Sequence, residues 1–222
     1  MCACVKVALV LNGEEPGPDE LKLLSACEAI VCADGAAQAM LKSNKTPTVI
    51  VGDLDSLKAD AYKWAEALEV PIERHKPEKD LTDGELALEK CFALGATGLI
   101  IMGGHGGRSA MFLHNLKLLR RAFEKGLEAS MVGRGESLRF AKKGDERVFT
   151  GRTGSTLNLL AMDGDAVVNL QGTSWDGDGI KLGRLGSRGM SNQIVSDGAL
   201  LQVVEGVVLV AVERPKKEYF AT

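Results

Sequence analysis

Three acidic clusters are the residues of this sequence best suited to chemistry. They read ADG at residues 33–35, GDLDS at 52–56 and KDLTD at 79–83. The first two directly follow runs rich in β-branched residues, which predict strands, and the third follows a shorter apolar patch. Ligands of open α/β sheets bind beyond the carboxyl ends of the strands. Five carboxylates are therefore expected at one sheet edge: Asp34, Asp53, Asp55, Asp80 and Asp83.

Carboxylates gathered in this way repel one another unless a cation lies among them. Hard divalent cations prefer oxygen ligands, and Mg²⁺ typically combines one or two carboxylates with substrate phosphates. A solvated turn is the simpler interpretation of any single cluster, because Asp and Gly are common turn residues. The recurrence of acidic clusters at comparable positions favours a metal site and phosphoryl chemistry.

The Asp53-Leu54-Asp55 element has two other known settings. In phosphatases of the haloacid dehalogenase type the first Asp is a nucleophile, but there the second Asp is typically followed by x-Thr or x-Val, whereas Asp55 is followed by Ser56-Leu57. Glycosyltransferases also hold a metal and a diphosphate with such an element. We rank that interpretation third. On a strand end, alternation would project both carboxylates to one side.

Two further elements are suited to binding anions. The glycine-rich segment GGHGGR at 103–108 follows a predicted strand, and it lets the backbone N–H groups of Gly106 and Gly107 approach a phosphate while Arg108 adds a charged contact. It matches neither the Walker pattern nor a good dinucleotide fingerprint. The sequence TDGE at 82–85 predicts a capping box in which Thr82 begins a helix, and helix N-termini attract anions.

The second half of the chain offers an aromatic ring and small polar groups. Trp175 lies in GTSWDGDG at 172–179, where an indole can stack on a planar or cationic ligand. Ser191 and Asn192 lie in GMSNQ at 189–193. An exposed hairpin aromatic is the simpler interpretation of Trp175.

Composition excludes several classes of protein. The chain has 222 residues and a formal net charge of −3, which gives no basic footprint for nucleic acid. No apolar stretch approaches the ~20 residues that span a bilayer, so no membrane association is expected. Five cysteines without framework spacing predict reduced thiols and a cytoplasmic location. Cys2 and Cys4 lack the second Cys/His pair of a zinc finger.

The elements that must position these residues divide into two regions. Up to residue 128, predicted strands alternate with helices over residues 19–28, 36–43, 59–68, 82–94 and 110–125, which predicts a parallel sheet covered by helices. From residue 129 onward short β-rich runs are separated by glycines, as in an antiparallel β-sandwich. We expect an α/β domain at 1–128, followed by an all-β domain at 129–222.

Together these residues resemble the thiamine pyrophosphokinase family. The matching motifs are ADGA at 33–36, VGDLDS at 51–56, DLTD at 80–83, GGR at 106–108, GTSW at 172–175 and MSNQ at 190–193. They occur in the order of the family and cover nearly the whole chain. Each motif is weak alone, but the ordered set is fairly specific.

The resemblance implies transfer of a pyrophosphoryl group from ATP to the hydroxyl of thiamine, with release of AMP. It also implies Mg²⁺, a homodimer, and a thiamine site between the α/β edge of one subunit and the β domain of the other. By the resemblance, Asp53, Asp55 and Asp83 would hold Mg²⁺. Asp34 and Asp80 would act as a further ligand or as proton acceptor. Gly106, Gly107, Arg108 and Thr82 would bind phosphate, and Trp175, Ser191 and Asn192 would bind thiamine.

The sequence departs from the family pattern near the phosphate site. The family commonly reads GGR-x-D-(H/Q), whereas here Ala110 and Met111 follow Ser109. A Lys often stands three residues after the TD aspartate, where this chain has Leu86. These changes leave two alternatives open: a pyrophosphokinase of the same fold acting on another heterocyclic alcohol such as a pterin, or a binding protein without catalysis.

Overall fold

The chain forms two compact units, Met1–Arg134 and Gly135–Thr222. The computed structural model describes residues 5–76 and 80–215, so Cys2, Cys4 and Lys79 lie outside the described residues. The boundary falls at residue 134 rather than at the predicted 128. The reason is that the strand Glu128–Gly133 pairs in parallel with the strand Gly98–Met102, and it therefore belongs to the first unit.

Over residues 5–76 and 80–134, the first unit is a parallel sheet with five α-helices. Its strands are β1 (Lys6–Val10), β2 (Ala29–Ala33), β3 (Val49–Gly52), β4 (Ile72–Arg74), β5 (Gly98–Met102) and β6 (Glu128–Gly133). Its helices are α1 (Pro18–Lys22), α2 (Ala37–Lys42), α3 (Ala59–Ala67), α4 (Asp83–Ala93) and α5 (Ser109–Glu124). The strands lie in the order β6-β5-β1-β2-β3-β4, and every pair is parallel.

Both faces of this sheet are covered, as a parallel sheet requires. On one face Ala8 and Val10 of β1 share an apolar cluster with Met40 of α2 and Ala65 of α3. Helix α4 packs against β1, β2 and β3, while α5 packs against β6 and α4. The alternation predicted from the sequence is therefore confirmed.

The strand order places a switch point at β1. From β1 the chain runs through β2, β3 and β4 toward one edge, whereas β5 lies on the other side of β1 and has β6 as its next neighbour. Loops that leave neighbouring strands in opposite directions open a crevice beyond the carboxyl ends. The segments that follow β1, β2 and β5 begin at this crevice.

The second unit is a sandwich of two antiparallel sheets. Its strands are β7 (Glu136–Lys142), β8 (Glu146–Phe149), β9 (Thr156–Ala161), β10 (Ala166–Gln171), β11 (Gly177–Leu182), β12 (Asn192–Gln193), β13 (Ala199–Glu205) and β14 (Val207–Glu213). One sheet has the order β12-β9-β14-β7 and the other β11-β10-β13-β8. Side chains of both sheets, such as Leu157 and Leu201, form one buried core. Over residues 135–215 no helix occurs, as predicted.

Four strands were not expected from the sequence: β4, β7, β11 and β12. The first and last have only three and two residues, and β11 contains two glycines. Charged residues interrupt the apolar pattern of β7 at Glu136, Arg139 and Lys142. Among the described residues, no helix combines the length and the apolar character that crossing a membrane demands.

Candidate active site

Three of the predicted carboxylates meet beyond the strand ends of the first unit. One oxygen each from Asp34, Asp53 and Asp83 lie within 4.8 Å of one another. Asp34 follows β2, Asp53 follows β3, and Asp83 is the first residue of α4. The three residues thus meet at one edge of the sheet, as the sequence predicted. Asp34 and Asp83 are 49 positions apart in the sequence (83 − 34).

Asp34 is the buried member of this cluster. Its backbone adopts a φ of +35°, and the residue is only 3% exposed. The Ser56 N–H donates a hydrogen bond of 3.0 Å to Asp34 Oδ2. Asp34 Oδ1 is buried and finds no hydrogen-bond partner among the described residues. Burial raises the pKa of Asp34 to about 6; the Ser56 N–H opposes the rise, and the Asp83 and Asp55 carboxylates add to it.

Gly52, the last residue of β3, is what lets the carboxylates approach so closely. A Cβ at this position would lie 2.7 Å from Asp34 Cβ and 3.1 Å from Asp83 Oδ1. The first distance is shorter than side chains tolerate, so any larger residue would push Asp34 away from its place. The glycine of the GDLDS motif therefore has a steric role beside the carboxylates.

Asp55 and Asp80 lie outside the three-carboxylate cluster. Leu54 has a φ of +70°, so the chain has left strand geometry and the expected alternation does not apply. Instead, Asp53 Oδ1 accepts a hydrogen bond of 3.2 Å from Asp55 N, and Asp55 Oδ1 accepts one of 2.9 Å from Ser56 Oγ. Asp55 lines the cavity described below, whereas exposed Asp80 is not among its lining residues. The three-carboxylate cluster thus contains Asp34 and does not contain Asp55, which the sequence predicted as a metal ligand.

The predicted capping box at the start of α4 is present. Thr82 Oγ1 accepts from Glu85 N at 3.2 Å, and Glu85 Oε2 accepts from Thr82 N at 3.0 Å. This reciprocal pair satisfies two backbone donors and fixes the direction of the first turn. Asp83, which is the next residue after Thr82, is thereby held at the carboxylate cluster.

The glycine-rich segment after β5 adopts a backbone that only glycine tolerates well. Gly103, Gly106 and Gly107 have φ values of +67°, +83° and +66°. A Cβ on Gly103 would lie 2.1 Å from the Leu11 carbonyl oxygen, so this segment packs directly on the end of β1. Nothing lies within 4 Å of the position of a Gly107 Cβ. The loop is therefore open to a ligand at the predicted Gly106-Gly107-Arg108 segment.

These parts line one cavity of about 530 Å³. Its wall combines the acidic side with the glycine loop: Asp34, Asp55, Thr82 and Asp83 on one part, Gly106, Gly107 and Arg108 on another. The volume lies within the range of small-molecule sites. Of the three residues at which the sequence departs from the family pattern, Met111 lines the cavity, whereas Leu86 and Ala110 do not.

Four polar residues of the cavity were not predicted as site residues: Asn12, Ser56, His114 and Asn115. Asn12 follows β1, and a Cβ on Gly35 would lie 2.4 Å from its Nδ2. Buried Asn115 donates a hydrogen bond of 2.9 Å from Nδ2 to the Gly104 carbonyl oxygen, which ties the glycine loop to α5. The signal available was the spacing of Met111, His114 and Asn115, which places them on one helical face next to Arg108.

In the second unit, Trp175 stands on a loop whose anchor is Asn192. The Trp175 side chain is exposed, at 59%. Asn192 Oδ1 accepts from Trp175 N at 3.1 Å and from Gln193 N at 2.9 Å. Its Nδ2 donates to Thr173 Oγ1 at 3.0 Å and to the Trp175 carbonyl oxygen at 3.3 Å. These four bonds use the full capacity of an amide side chain, so Asn192 supports the Trp175 loop instead of facing a ligand.

Asp176 and Ser191 complete this region. The Asp176 carboxylate accepts from Thr173 N at 2.6 Å and from Gly172 N at 3.0 Å, and the Thr173 N–H holds the pKa of Asp176 below its usual range. Exposed Ser191 has a φ of +59°, and its N–H donates to Asn158 Oδ1 at 2.8 Å. Asp176 thus closes the loop, while the Ser191 side chain faces solvent.

The acidic cluster has the donor set of a hard divalent cation. Its ligands are carboxylate oxygens, which suit Mg²⁺. Buried Asp34 Oδ1, which finds no hydrogen-bond partner among the described residues, is an oxygen that a cation would satisfy. The arrangement therefore fits a magnesium ion held by Asp34, Asp53 and Asp83.

Several solved structures of thiamine pyrophosphokinases have the same fold. The crystal structure of thiamine pyrophosphokinase from Bacillus subtilis superposes with a TM-score of 0.83 at 18% identity, covering 95% of this chain and 99% of that chain. The protein from Geobacillus thermodenitrificans gives 0.81 at 21%, covering 96% and 99%. The enzyme from Candida albicans gives 0.79 at 19%, covering 95% and 89%. At these identities the similarity shows the fold.

The sequence itself identifies the family. No curated protein matches the chain significantly. The family model described as thiamin pyrophosphokinase, catalytic domain, matches residues 21–131, half of the chain. That stretch contains the three-carboxylate cluster, the α4 capping box and the glycine loop. The chain therefore belongs to the thiamin pyrophosphokinase family, whose members are pyrophosphate-transferring enzymes.

Proposed function

We propose that this protein is a Mg²⁺-dependent thiamine pyrophosphokinase that converts ATP and thiamine to AMP and thiamine diphosphate. The observation that carries the proposal is a single cavity in which Asp34 and Asp83 lie with Gly107 and Arg108. A cation held by carboxylates and a loop rich in backbone donors are the two components that position a polyphosphate. The family membership supplies the acceptor.

In the proposed reaction the hydroxyl oxygen of thiamine attacks the β-phosphorus of ATP. The bond from that phosphorus to the oxygen bridging to the α-phosphate breaks, and AMP leaves with the bridging oxygen. A Mg²⁺ held by Asp34, Asp53 and Asp83 would neutralise charge on the phosphate oxygens. Arg108 and the N–H groups of its loop bind and orient the transferred group.

The carboxylate that accepts the proton of the attacking hydroxyl is, in this proposal, Asp55. It lines the cavity but lies outside the three-carboxylate cluster. The predicted alternative, Asp80, is exposed and does not line the cavity. A base must lie within hydrogen-bond reach of the proton it removes, which favours Asp55.

Three further parts of the proposal rest on the family. Trp175 stacks on the pyrimidine of thiamine, with Ser191 as a hydrogen-bonding neighbour. The protein is a homodimer, and it works in the cytoplasm. Free thiols at Cys27, Cys32 and Cys91 are compatible with that compartment.

Variants of the acidic residues test the assignment. Asp83→Asn should lose both Mn²⁺ binding and AMP formation, whereas Asp55→Asn should lose AMP formation and keep Mn²⁺ affinity. Asp163→Asn, an exposed change in the second unit, is the control and should alter neither. Mn²⁺ binding is measured by electron paramagnetic resonance and AMP by chromatography. Full turnover by Asp83→Asn would refute the metal assignment.

The choice of acceptor is tested by competition. With thiamine and a hydroxymethyl pterin at equal concentration, we expect the diphosphate on thiamine alone. A diphosphorylated pterin would favour the alternative alcohol. Binding of ATP without any AMP would favour a binding protein without catalysis.

A further inference from the structure

We propose that His114 is a positioning residue for the acidic cluster: its Nε2–H donates to Thr82 Oγ1 and so fixes the first turn of α4, and with it Asp83. Thr82 Oγ1 and His114 Nε2 are 3.1 Å apart. His114 also lines the cavity that contains Asp83 and Arg108. The inference rests on the proposed function only in taking the carboxylate cluster as a metal site.

The other hydrogen bonds of Thr82 Oγ1 determine whether this hydroxyl or His114 Nε2 is the donor in the bond between them. Thr82 Oγ1 donates its one hydrogen to Glu85 Oε2 at 3.1 Å and accepts from Glu85 N at 3.2 Å. A hydroxyl oxygen has one hydrogen and two lone pairs. Its remaining lone pair can only accept, so the donor must be His114. The ring therefore carries its proton on Nε2, and Nδ1 is the nitrogen left to interact elsewhere.

Glu85 fixes the direction of these bonds. It accepts from both the backbone N–H and the hydroxyl of Thr82, at 3.0 Å and 3.1 Å. An ionised carboxylate accepts hydrogen bonds only. The hydroxyl hydrogen of Thr82 is thereby directed to Glu85 and away from the imidazole, whose Nε2 lies 3.8 Å from Glu85 Oε2.

Beside the His114–Thr82 contact, the first turn of α4 packs closely against α5 and against the residue that follows β1. A Cβ on Gly84 would lie 3.1 Å from Leu118 Cδ1 of α5 and 3.3 Å from Leu11 Cδ2 after β1. One turn farther along α4, Glu89 pairs with Arg121 of α5. Helix α5 therefore contacts α4 at its first turn and again at Glu89, and His114 is a polar contact at the end where Asp83 lies.

The neighbouring Asn115 gives α5 a second anchoring contact, to the Gly104 carbonyl oxygen. Two successive residues of one helix thus hold both walls of the cavity: His114 the α4 N-terminus and Asn115 the glycine loop. The family pattern does not predict this role for His114 and Asn115. It places its polar residues two and three positions after Arg108, where this chain has Ala110 and Met111.

Two amide variants separate the nitrogens of the ring. The amide nitrogen of Gln lies where Nε2 of His lies, and that of Asn where Nδ1 lies. His114→Gln should therefore preserve the bond to Thr82, and His114→Asn should lose it. We expect Mn²⁺ affinity, measured by electron paramagnetic resonance without nucleotide, to stay within about twofold of wild type for Gln and to fall roughly three- to tenfold for Asn, the effect of one hydrogen bond. Circular dichroism confirms folding of both variants.

Nitrogen-15 resonances of the imidazole in the metal-free protein test the tautomer independently of any ligand. With the neutral ring we expect the proton on Nε2, with the signal assigned by its disappearance in His114→Gln. A proton on Nδ1, or Mn²⁺ affinity unchanged in His114→Asn, would overturn the proposal. An equal loss in both variants would also overturn it, by indicating direct ligand contact through the ring. Wild-type protein that binds no Mn²⁺ would contradict the proposed function, while the tautomer would still decide the His114–Thr82 bond.

Discussion

Without a bound metal, both the backbone conformation of Asp34 and the negative charge of its carboxylate are unfavourable. A positive φ is uncommon for a residue other than glycine and often marks a functional site. Asp34 combines a φ of +35° with burial and with the neighbouring charges of Asp83 and Asp55. A bound cation would remove the electrostatic part of this penalty, so the residue is suited to a site that is completed by its ligand.

Metal binding should weaken in acid because of Asp34. The fold raises the pKa of this carboxyl from 3.8 to about 6, and a carboxylate must lose its proton to ligate a cation. Below pH 6 we expect Mn²⁺ affinity to fall by about tenfold per pH unit. Titration of the wild-type protein between pH 5 and pH 8 measures this; an affinity that stays flat across the range would contradict the assignment of Asp34 as a ligand.

The raised pKa of Asp34 has the opposite effect on the stability of the protein without bound metal: stability should fall as pH rises, whereas metal affinity should rise. Because the folded state binds the proton more tightly than the unfolded state, the free energy of unfolding should decline as pH rises from 3.8 to about 6. Urea unfolding in the presence of a chelator measures the decline. Asp34→Asn, which removes the titrating group, should lessen it.

Gly52→Ala should disrupt the acidic cluster. The new methyl group would lie 2.7 Å from Asp34 Cβ, and such overpacking costs about 1–3 kcal/mol. We expect Mn²⁺ affinity to fall at least about tenfold, since relief of the clash moves Asp34. Gly164→Ala is the control, because nothing lies within 4 Å of its Cβ position. Equal Mn²⁺ affinity in the two variants would show that the cluster does not depend on close approach at Gly52.

At the level of elements, the Trp175 loop depends on Asn192. The Asn192→Ala change removes three hydrogen bonds that hold the loop between β10 and β11. We expect KM for thiamine to rise roughly five- to tenfold with KM for ATP unchanged, because the stacking ring loses its support. Steady-state kinetics measure both. If Trp175→Ala raises KM for thiamine while Asn192→Ala does not, the support role assigned to Asn192 is wrong.

Some of these elements could be predicted and others could not. The TDGE sequence predicted the capping box at Thr82, since both of its hydrogen bonds are local. The membership of the three-carboxylate cluster was predicted only in part. Whether Asp34 or Asp55 joins Asp53 and Asp83 depends on the left-handed turn at Leu54, and a leucine gives no sequence signal for a positive φ. The saturated bonding of Asn192 likewise depends on a loop fold that no local pattern encodes.

For the whole molecule, the hydrophobic pattern of the sequence was sufficient to predict both architectures, the parallel α/β sheet and the antiparallel β-sandwich. Parallel strands buried on both faces gave continuous apolar runs such as GLIIM in β5, and the sandwich gave short runs between glycines. Strand order could not be read in this way. The position of β1 between β2 and β5, which opens the crevice, follows from long-range packing.

The stoichiometry of AMP formation tests the proposed pyrophosphate transfer directly. Purified protein is incubated with ATP, Mg²⁺ and thiamine, and the products are identified by mass. We predict AMP and thiamine diphosphate in equal amounts, with neither formed when thiamine or Mg²⁺ is omitted. Formation of ADP with thiamine monophosphate would contradict attack at the β-phosphorus, and thiamine-independent release of AMP would contradict the acceptor.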